Sequence, residues 1–445
     1  MHRRHPKRPD VETMPSVNPH AAGLDSGSEK IWACVPEDRD TPPVRPFGTF
    51  TPDLYALAGW LTACRIETVA MESTGVSWLP IYEILEARGF QVHLANARHL
   101  KHVPGRKRDV KAGQWIQPLH TCGLLRGSFR PEAEMCALRA YVHHRATWLA
   151  PRAAHIQHMH KALQQMNVPL THGLTDLSGV TGWAMIRAIV AGEREPVRLA
   201  RFRDRRCASS TADIAKALTG QDQPEQVFAL KQALALYAAY TEPVREGDAA
   251  IERRFQAITP VWADELPPLN RANTHRTHNK NAPLYDARGL LYPLTGVDLV
   301  AIPGLNASTV HTMLSDIGQE LRKWPQAKAF CAWLGLALRH EIAGGRIFRR
   351  STLTTRNCAG QALRLAAQAG SRSRNSVEAD YRRMRARLGP QSAIVAAAHT
   401  MARSVYHLLI HRTPFPELSA TEYERRTRDR DIAALRTRAT KLGFT

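Results

Sequence analysis

Thr68-Val69-Ala70-Met71-Glu72-Ser73-Thr74-Gly75-Val76-Ser77-Trp78 is the stretch on which the fold turns. Thr68 to Glu72 is a compact apolar run that ends on an acid, as a buried strand does. A helical pattern follows from Val76 to Arg88 and is stopped by Gly89, after which Phe90 to Ala95 is again a strand. Upstream, Ile31 to Val35 is a short β-like run, and Asp25 lies at the expected first strand. Thr51-Pro52-Asp53 opens a helix through Ala63, with Thr51 as its N-cap. Strands alternating with helices indicate an α/β layer whose strands are partly parallel.

Outward from this layer the pattern becomes helical. Pro131 to about Gln165 and Pro224 to about Ile258 have long helical spacing, broken in the first only by Pro151. They read as a helical stalk or coiled-coil insertion, with a compact helical bundle as the alternative. Residues 1–20 are Arg-, His- and Pro-rich and read as a disordered basic arm. Residues 261–290 form a polar linker, Leu299 to Ala369 a compact helical unit, and a basic helical tail runs from Tyr381 to Thr445.

Composition bounds the partners. The 445 residues suggest two or three domains at ~150 residues each. Lys and Arg number 61 against 40 Asp and Glu, a formal charge of +21 that favours a polyanion. No apolar run approaches the ~20 residues that span a bilayer, so no membrane partner is expected. The seven cysteines form no CxxC pair, which argues against a disulfide framework or zinc knuckle and fits a reducing cytosol. His155, His158 and His160 share one helical stretch, but the Arg and Lys around them favour solvated or phosphate-facing rings over metal ligands.

Three carboxylates sit where a metal-dependent nuclease wants them: Asp25 before Ser26-Gly27, Glu72 at a strand end, and Asp109 after the basic loop Gly105-Arg106-Lys107-Arg108. Phosphoryl transfer needs charge neutralised and oxygens positioned, and hard cations take carboxylate oxygens. Singly, Glu72 and Asp109 also read as helix caps. An acid ending an apolar strand is harder to dismiss, because burying it unpaired is costly.

These residues resemble a known family. Met71-Glu72-Ser73-Thr74-Gly75-Val76-Ser77-Trp78, Val103-Pro104-Gly105-Arg106-Lys107-Arg108-Asp109-Val110 with Trp115, and Gly123-Leu124-Leu125 with Ser128-Phe129-Arg130-Pro131 look like its N-terminal signatures. Ile302-Pro303-Gly304-Leu305, Trp333-Leu334-Gly335-Leu336 and Gly344-Gly345 are similar to its C-terminal transposase domain. The family is that of the Asp-Glu-Asp-Asp insertion-sequence transposases, the RNA-guided bridge-RNA recombinases, and the resemblance covers most of residues 20–412. It implies a fold that is α/β plus α: a ribonuclease-H-like (RuvC-like) metal-binding domain over 21–130, a helical or coiled-coil region over 131–260, a mostly helical C-terminal serine transposase domain over 291–412 and a basic tail over 413–445.

The resemblance further implies excision and integration of an insertion sequence by strand cleavage and exchange through a phosphoserine intermediate, with Mg²⁺ at the acidic site. Asp25, Glu72 and Asp109 would be the first three acids. The fourth falls one helical turn after the third, where this chain has Ala112. The family's serine precedes the Gly-Gly pair, where this chain has Ala343 before Gly344 and Gly345. A methyl group ligates no metal and forms no phosphoester, and losing a covalent nucleophile costs on the order of a millionfold. The chain is therefore expected to bind nucleic acid without recombining it, and alanine at both positions favours deliberate inactivation over natural decay. Ser351, Thr352, Thr354 and Thr355 are the alternative hydroxyls.

For nucleic acid, Leu299 to Leu305 followed by Ser308 and Thr309 reads as helix, tight hairpin at Gly304, helix, with backbone N–H groups offered to a phosphate or as a plain helical hairpin. Clusters at Arg106 to Arg108, Arg201 to Arg206, Arg346 to Arg350 (Arg346, Arg349 and Arg350 foremost) and Arg382 to Arg387 are backbone contacts in this reading. The resemblance implies donor and target DNA, a structured noncoding guide RNA that supplies specificity by pairing, and dimers joined into a homotetramer in a prokaryotic, nucleoid-associated cytoplasmic setting. A structure-specific endonuclease and a transposase-derived nucleic-acid-binding protein are the rival readings.

Overall fold

The computed structural model describes residues 14–73, 75–95, 112–125, 127–174, 176–259, 262, 266–269, 281–319, 321–344, 346–352, 357–372, 375–416 and 419–443. The chain divides into two compact units, Met1–Arg130 and Pro131–Thr445.

The first unit is a layered α/β domain. Its strands are β1 (Ala21–Ser26), β2 (Lys30–Cys34), β3 (Val44–Gly48), β4 (Thr68–Glu72) and β5 (Gln91–Ala95). They form one mixed sheet in the order β3-β2-β1-β4-β5. β1–β2 and β2–β3 are antiparallel, whereas β1–β4 and β4–β5 are parallel. Helix α1 (Thr51–Ala63) joins β3 to β4, and α2 (Trp78–Ala87) joins β4 to β5. Both place Leu57, Leu61, Ile81 and Leu85, all fully buried, against Leu24, Val69 and Met71 of one sheet face. Each such side chain contributes about 1.5–3 kcal/mol. The other face is smaller: Ala70 and Ala95 meet Ile116 and Leu119 of α3 (Ala112–Thr121).

Two local expectations are corrected here. The α1 N-cap is Phe50, in extended conformation and without a side-chain hydrogen bond, rather than Thr51, because Pro52 already removes one of the amides a cap would satisfy. β3 was not anticipated, since Pro46 interrupts its run. Proline is tolerated because β3 is the sheet's edge.

The second unit is built on a hairpin of α4 (Ala133–Gln165) and α5 (Pro224–Ala257). Short helices at Leu170–Gly173, Val180–Val190, Pro196–Ala200 and Thr211–Leu218 fold over one end of it, around Met159, Leu163, Met185, Ile186, Ile214 and Leu230. Across the hairpin, Arg145 Nε donates to Asp248 Oδ1 at 2.6 Å, with both side chains buried. Arg152 reaches Asn281 Oδ1 at 2.8 Å.

The remainder is α6 (Ala287–Thr295), α7 (Ala307–Ile317), α8 (Ala327–Trp333), α9 (Cys358–Gly370), α10 (Ser376–Leu388), α11 (Pro390–His411) and α12 (Ala420–Lys441). The region is not helical throughout, as the sequence had suggested. An antiparallel ribbon of β6 (Leu338–Ala343) and β7 (Arg346–Thr352) interrupts it, turning through Gly344 at φ +57°. The expected helix before Gly304 is a single 3-10 turn, Leu299–Ala301. Among the described residues one helix, α11, is long and apolar enough to cross a membrane, although no apolar run of that length is expected from the sequence. Its Ala397, Met401, Val405 and Leu409 are buried in the bundle with α8, α9 and α10, which accounts for the apolar composition.

Candidate functional site

The hydrogen-bonded register of β1 on β4 runs from Ala21–Thr68 to Leu24–Met71. One residue further on, Asp25 comes opposite Glu72. Neighbouring strands lie about 4.8 Å apart, and residues in register on parallel strands share a face. That face follows from alternation: Leu24 and Met71 enter the α1/α2 core, whereas Ala70 enters the cluster with α3. Asp25 and Glu72 thus emerge on the α3 side, half-buried, at the C-terminal ends of their strands.

Helix α3 runs antiparallel to these strands. Near its end, His120 Nε2 lies 2.8 Å from Thr68 Oγ1, and Gln117 Nε2 donates to Ala21 O at 3.4 Å. From His120 back to Ala112 the helix rises about 12 Å, and from Thr68 to Glu72 the strand advances about 13 Å. The first residue of α3, Ala112, is therefore level with Glu72. The segment that enters α3, with Asp109, Arg106, Lys107 and Arg108, lies outside the described residues. An all-oxygen donor pair at this end suits a hard divalent cation, so Asp25 and Glu72 fit the metal implied by the resemblance.

The polar layer beneath is built from histidine. His120 is buried, its ring 4.8 Å from that of His93, and burial together with the charge of His93 pushes its pKa down to about 4. It is neutral at physiological pH and serves the packing of α3 on the sheet.

In the second unit, Ala343 ends β6 and pairs with Arg346 across the turn, so both stand at the tip of the ribbon beside exposed Gly344. Gly345, Thr354 and Thr355 lie outside the described residues. Ser351 and Thr352 pair with Arg339 and Leu338 at the opposite end, about 17 Å of strand from Arg346. Arg349 and Arg350 follow on β7.

Gly304 has a packing role that the sequence did not reveal. Its φ is +92°, and a Cβ there would meet Ala366 O of α9 at 2.3 Å. At the start of α7, Asn306 Oδ1 accepts from Thr309 N at 2.9 Å and from its hydroxyl at 3.0 Å, so Thr309 is engaged in the helix cap. Ser308 lies beside it, half-buried. Among the basic clusters, Arg203 is tied to Ser209 O and Cys207 O, Arg206 to Asp204, and Arg382 and Arg383 to Glu378 and Asp380. Arg201, Arg205, Arg385 and Arg387 are exposed. His155 and His158 touch through their Nδ1 atoms at 3.3 Å, and His155 stacks on Tyr240. Among the described residues, a three-ligand group forms elsewhere, at His143, Asp316 and Cys358.

A mixed five-stranded sheet with helices on both faces, carrying acids at adjacent strand ends and joined to a helical region, is consistent with a ribonuclease-H-like domain of the Asp-Glu-Asp-Asp class. Comparison with protein families agrees. Residues 22–168 match DEDD_Tnp_IS110, described as a transposase, and residues 298–382 match the Transposase IS116/IS110/IS902 family. The chain thus carries IS110-family transposase domains, which support a transposase or recombinase function with DNA as substrate. No curated protein matches it.

Proposed function

We propose that this chain is the scaffold of an RNA-guided DNA transposase in which each of two catalytic centres lacks one group. The observation that carries this reading is the placement of Asp25 beside Glu72 at the end of the sheet faced by the start of α3. Asp25, Glu72 and Asp109 would hold Mg²⁺, which when bound neutralises phosphate charge and favours strand cleavage. Without a cation the two carboxylates would repel a phosphodiester from that end of the sheet. Ala112, on the first turn of α3, withholds the fourth carboxylate.

At the other centre, DNA would meet position 343 at the tip of the β6–β7 ribbon. A serine hydroxyl there would attack phosphorus, form a phosphoserine and release a 3′ or 5′ hydroxyl. Ala343 has no such oxygen, and the chain as it stands is inactive in exchange. Arg346, Arg349 and Arg350 on the same ribbon and Gly344 at its turn, together with Gly345, which lies outside the described residues, would contact the phosphate backbone.

A structured noncoding RNA supplies specificity by pairing with donor and target DNA, and the net charge of +21 suits such a load. The α4–α5 hairpin carries exposed Tyr141, Phe228 and Leu236, which suit it as a dimer-forming arm toward a tetramer. The protein acts in the cytoplasm on nucleoid DNA. The test is binding by the purified chain: retention of the RNA encoded beside its element, with DNA held only when that RNA pairs with it, supports the guided reading. Sequence-specific duplex binding without RNA would replace it with a transposase-derived regulator, a reading with which Ala112 and Ala343 are compatible.

A further inference from the structure

A second cation site stands apart from the acidic sheet end. His143 on α4, Asp316 on α7 and Cys358 at the start of α9 bring their ligand atoms within 4.8 Å of one another. We propose that these three side chains form a site for a borderline-soft divalent cation of the Zn²⁺ class, which clamps the α4–α5 hairpin onto the C-terminal helices.

The donor set determines the class of ion. One imidazole, one carboxylate and one thiolate suit Zn²⁺ or Co²⁺, and a hard ion such as Mg²⁺ does not take sulfur. A tetrahedral ion with bonds of about 2.0–2.3 Å separates its ligands by about 3.3–3.8 Å, so closure needs side-chain movement of about an ångström. Asp316 is 4% exposed and is fixed from behind, because its Oδ2 accepts from Ala359 N at 2.9 Å. That bond caps α9 and leaves Oδ1 turned toward the cluster. His143 Nε2 lies 3.4 Å from Oδ1, is occluded from water, and makes no hydrogen bond of good geometry among the described residues. A buried ring nitrogen aimed at a carboxylate in this way is poised for an ion between them.

Arg139 occupies the cation's place. Its Nε lies 2.7 Å from the same Oδ1, while its side chain is 45% exposed and has solvent to move into. Burial, followed by the negative charge of Asp316, raises the Cys358 thiol above its ordinary value, and burial is opposed at Asp316 itself by His143 and Arg139. An arriving divalent ion would replace the single charge of Arg139 with two, stabilise the thiolate and release its proton to water. Three helices far apart in sequence would then be held by one ion. The hairpin's packing on the bundle becomes metal-dependent.

The experiment is a Co²⁺ titration of the full-length chain, reduced, freed of metal with chelator and desalted, followed by displacement with Zn²⁺. A single equivalent of Co²⁺ should give a near-ultraviolet thiolate-to-cobalt band that Zn²⁺ abolishes. Cys358→Ser should remove the band, and His143→Gln should weaken Co²⁺ on the order of tenfold or more. Arg139→Gln should tighten binding, an effect that damage to the fold does not produce. Asp25→Asn and Glu72→Gln should leave the band in place, which separates this site from the acidic one. Absence of the band in the unaltered chain, its survival in Cys358→Ser, or unchanged affinity in Arg139→Gln would overturn the proposal.

Discussion

Asp25 stands beside Glu72 on neighbouring parallel strands, one residue beyond the Leu24–Met71 pair that ends their hydrogen-bonded register. Both lie where α3 begins, so one end of the sheet gathers carboxylates while the other gathers the His120–Thr68 contact. Like charges on adjacent strands repel, and a divalent cation relieves that cost. Polarity along the strands therefore separates an acidic end from a neutral packing end.

Divalent metal affinity should depend on both acids. Asp25→Asn and Glu72→Gln are each expected to weaken Mn²⁺ binding, read by electron paramagnetic resonance, on the order of tenfold or more, as loss of a ligating oxygen does. Mn²⁺ affinity unchanged in both variants would remove the metal from this end of the sheet.

The hairpin should be sensitive to one charge and tolerant of none. Arg145 and Asp248 are buried together, and Arg145 Nη2 also donates to Asn281 O at 3.1 Å. Asp248→Asn strands a buried guanidinium and is expected to cost about 3–5 kcal/mol in urea unfolding. Arg145→Met with Asp248→Leu should recover most of that loss. A single variant no less stable than the parent would show that the pair is not load-sharing across the hairpin.

Acid should weaken the fold through two histidines. Burial, and then the charge of His93, sets His120 at about 4, and burial with Arg145 sets His311 at about 3, both below the ordinary 6.5. Their folded values are depressed, so the unfolded chain binds more protons as pH falls from about 6.5. Stability is full above that value and declines toward the folded values. The urea midpoint should fall between pH 7.5 and pH 5, and His120→Asn should flatten part of the slope. A midpoint independent of pH in the parent would contradict the burial of both rings.

Gly304→Ala should be destabilising whether or not DNA is present. The added Cβ meets Ala366 O at 2.3 Å, and φ of +92° is itself strained for alanine. Strain of this kind costs about 1–3 kcal/mol, and the clash adds to it. Thermal unfolding of the free protein measures it, and an unchanged midpoint would return Gly304 to a purely ligand-facing role.

How much was legible in the sequence depends on how local each signal is. Thr68 to Glu72 reads as a strand because four residues of low polarity precede a single acid, and the strand has those bounds. The long helices show in the same way, through repeated spacing. β3 was hidden by Pro46, whose tolerance depends on an edge position that no local pattern encodes. The β6–β7 ribbon has a usable signal, Gly344-Gly345 between two short runs. Asp25 and Glu72 could be named as acids at strand ends, but their adjacency depends on β1 and β4 being parallel neighbours. His143, Asp316 and Cys358 had no signal at all, because three helices from distant parts of the chain bring them together.

The most direct measurement restores the missing groups. Ala112→Asp with Ala343→Ser would be compared with the unaltered chain for DNA exchange, using guide RNA, donor and target DNA and Mg²⁺, following recombined product and protein–DNA adducts. The account predicts product and adduct in the double variant alone. Exchange by the unaltered chain, or silence from both while RNA and DNA remain bound, would contradict it.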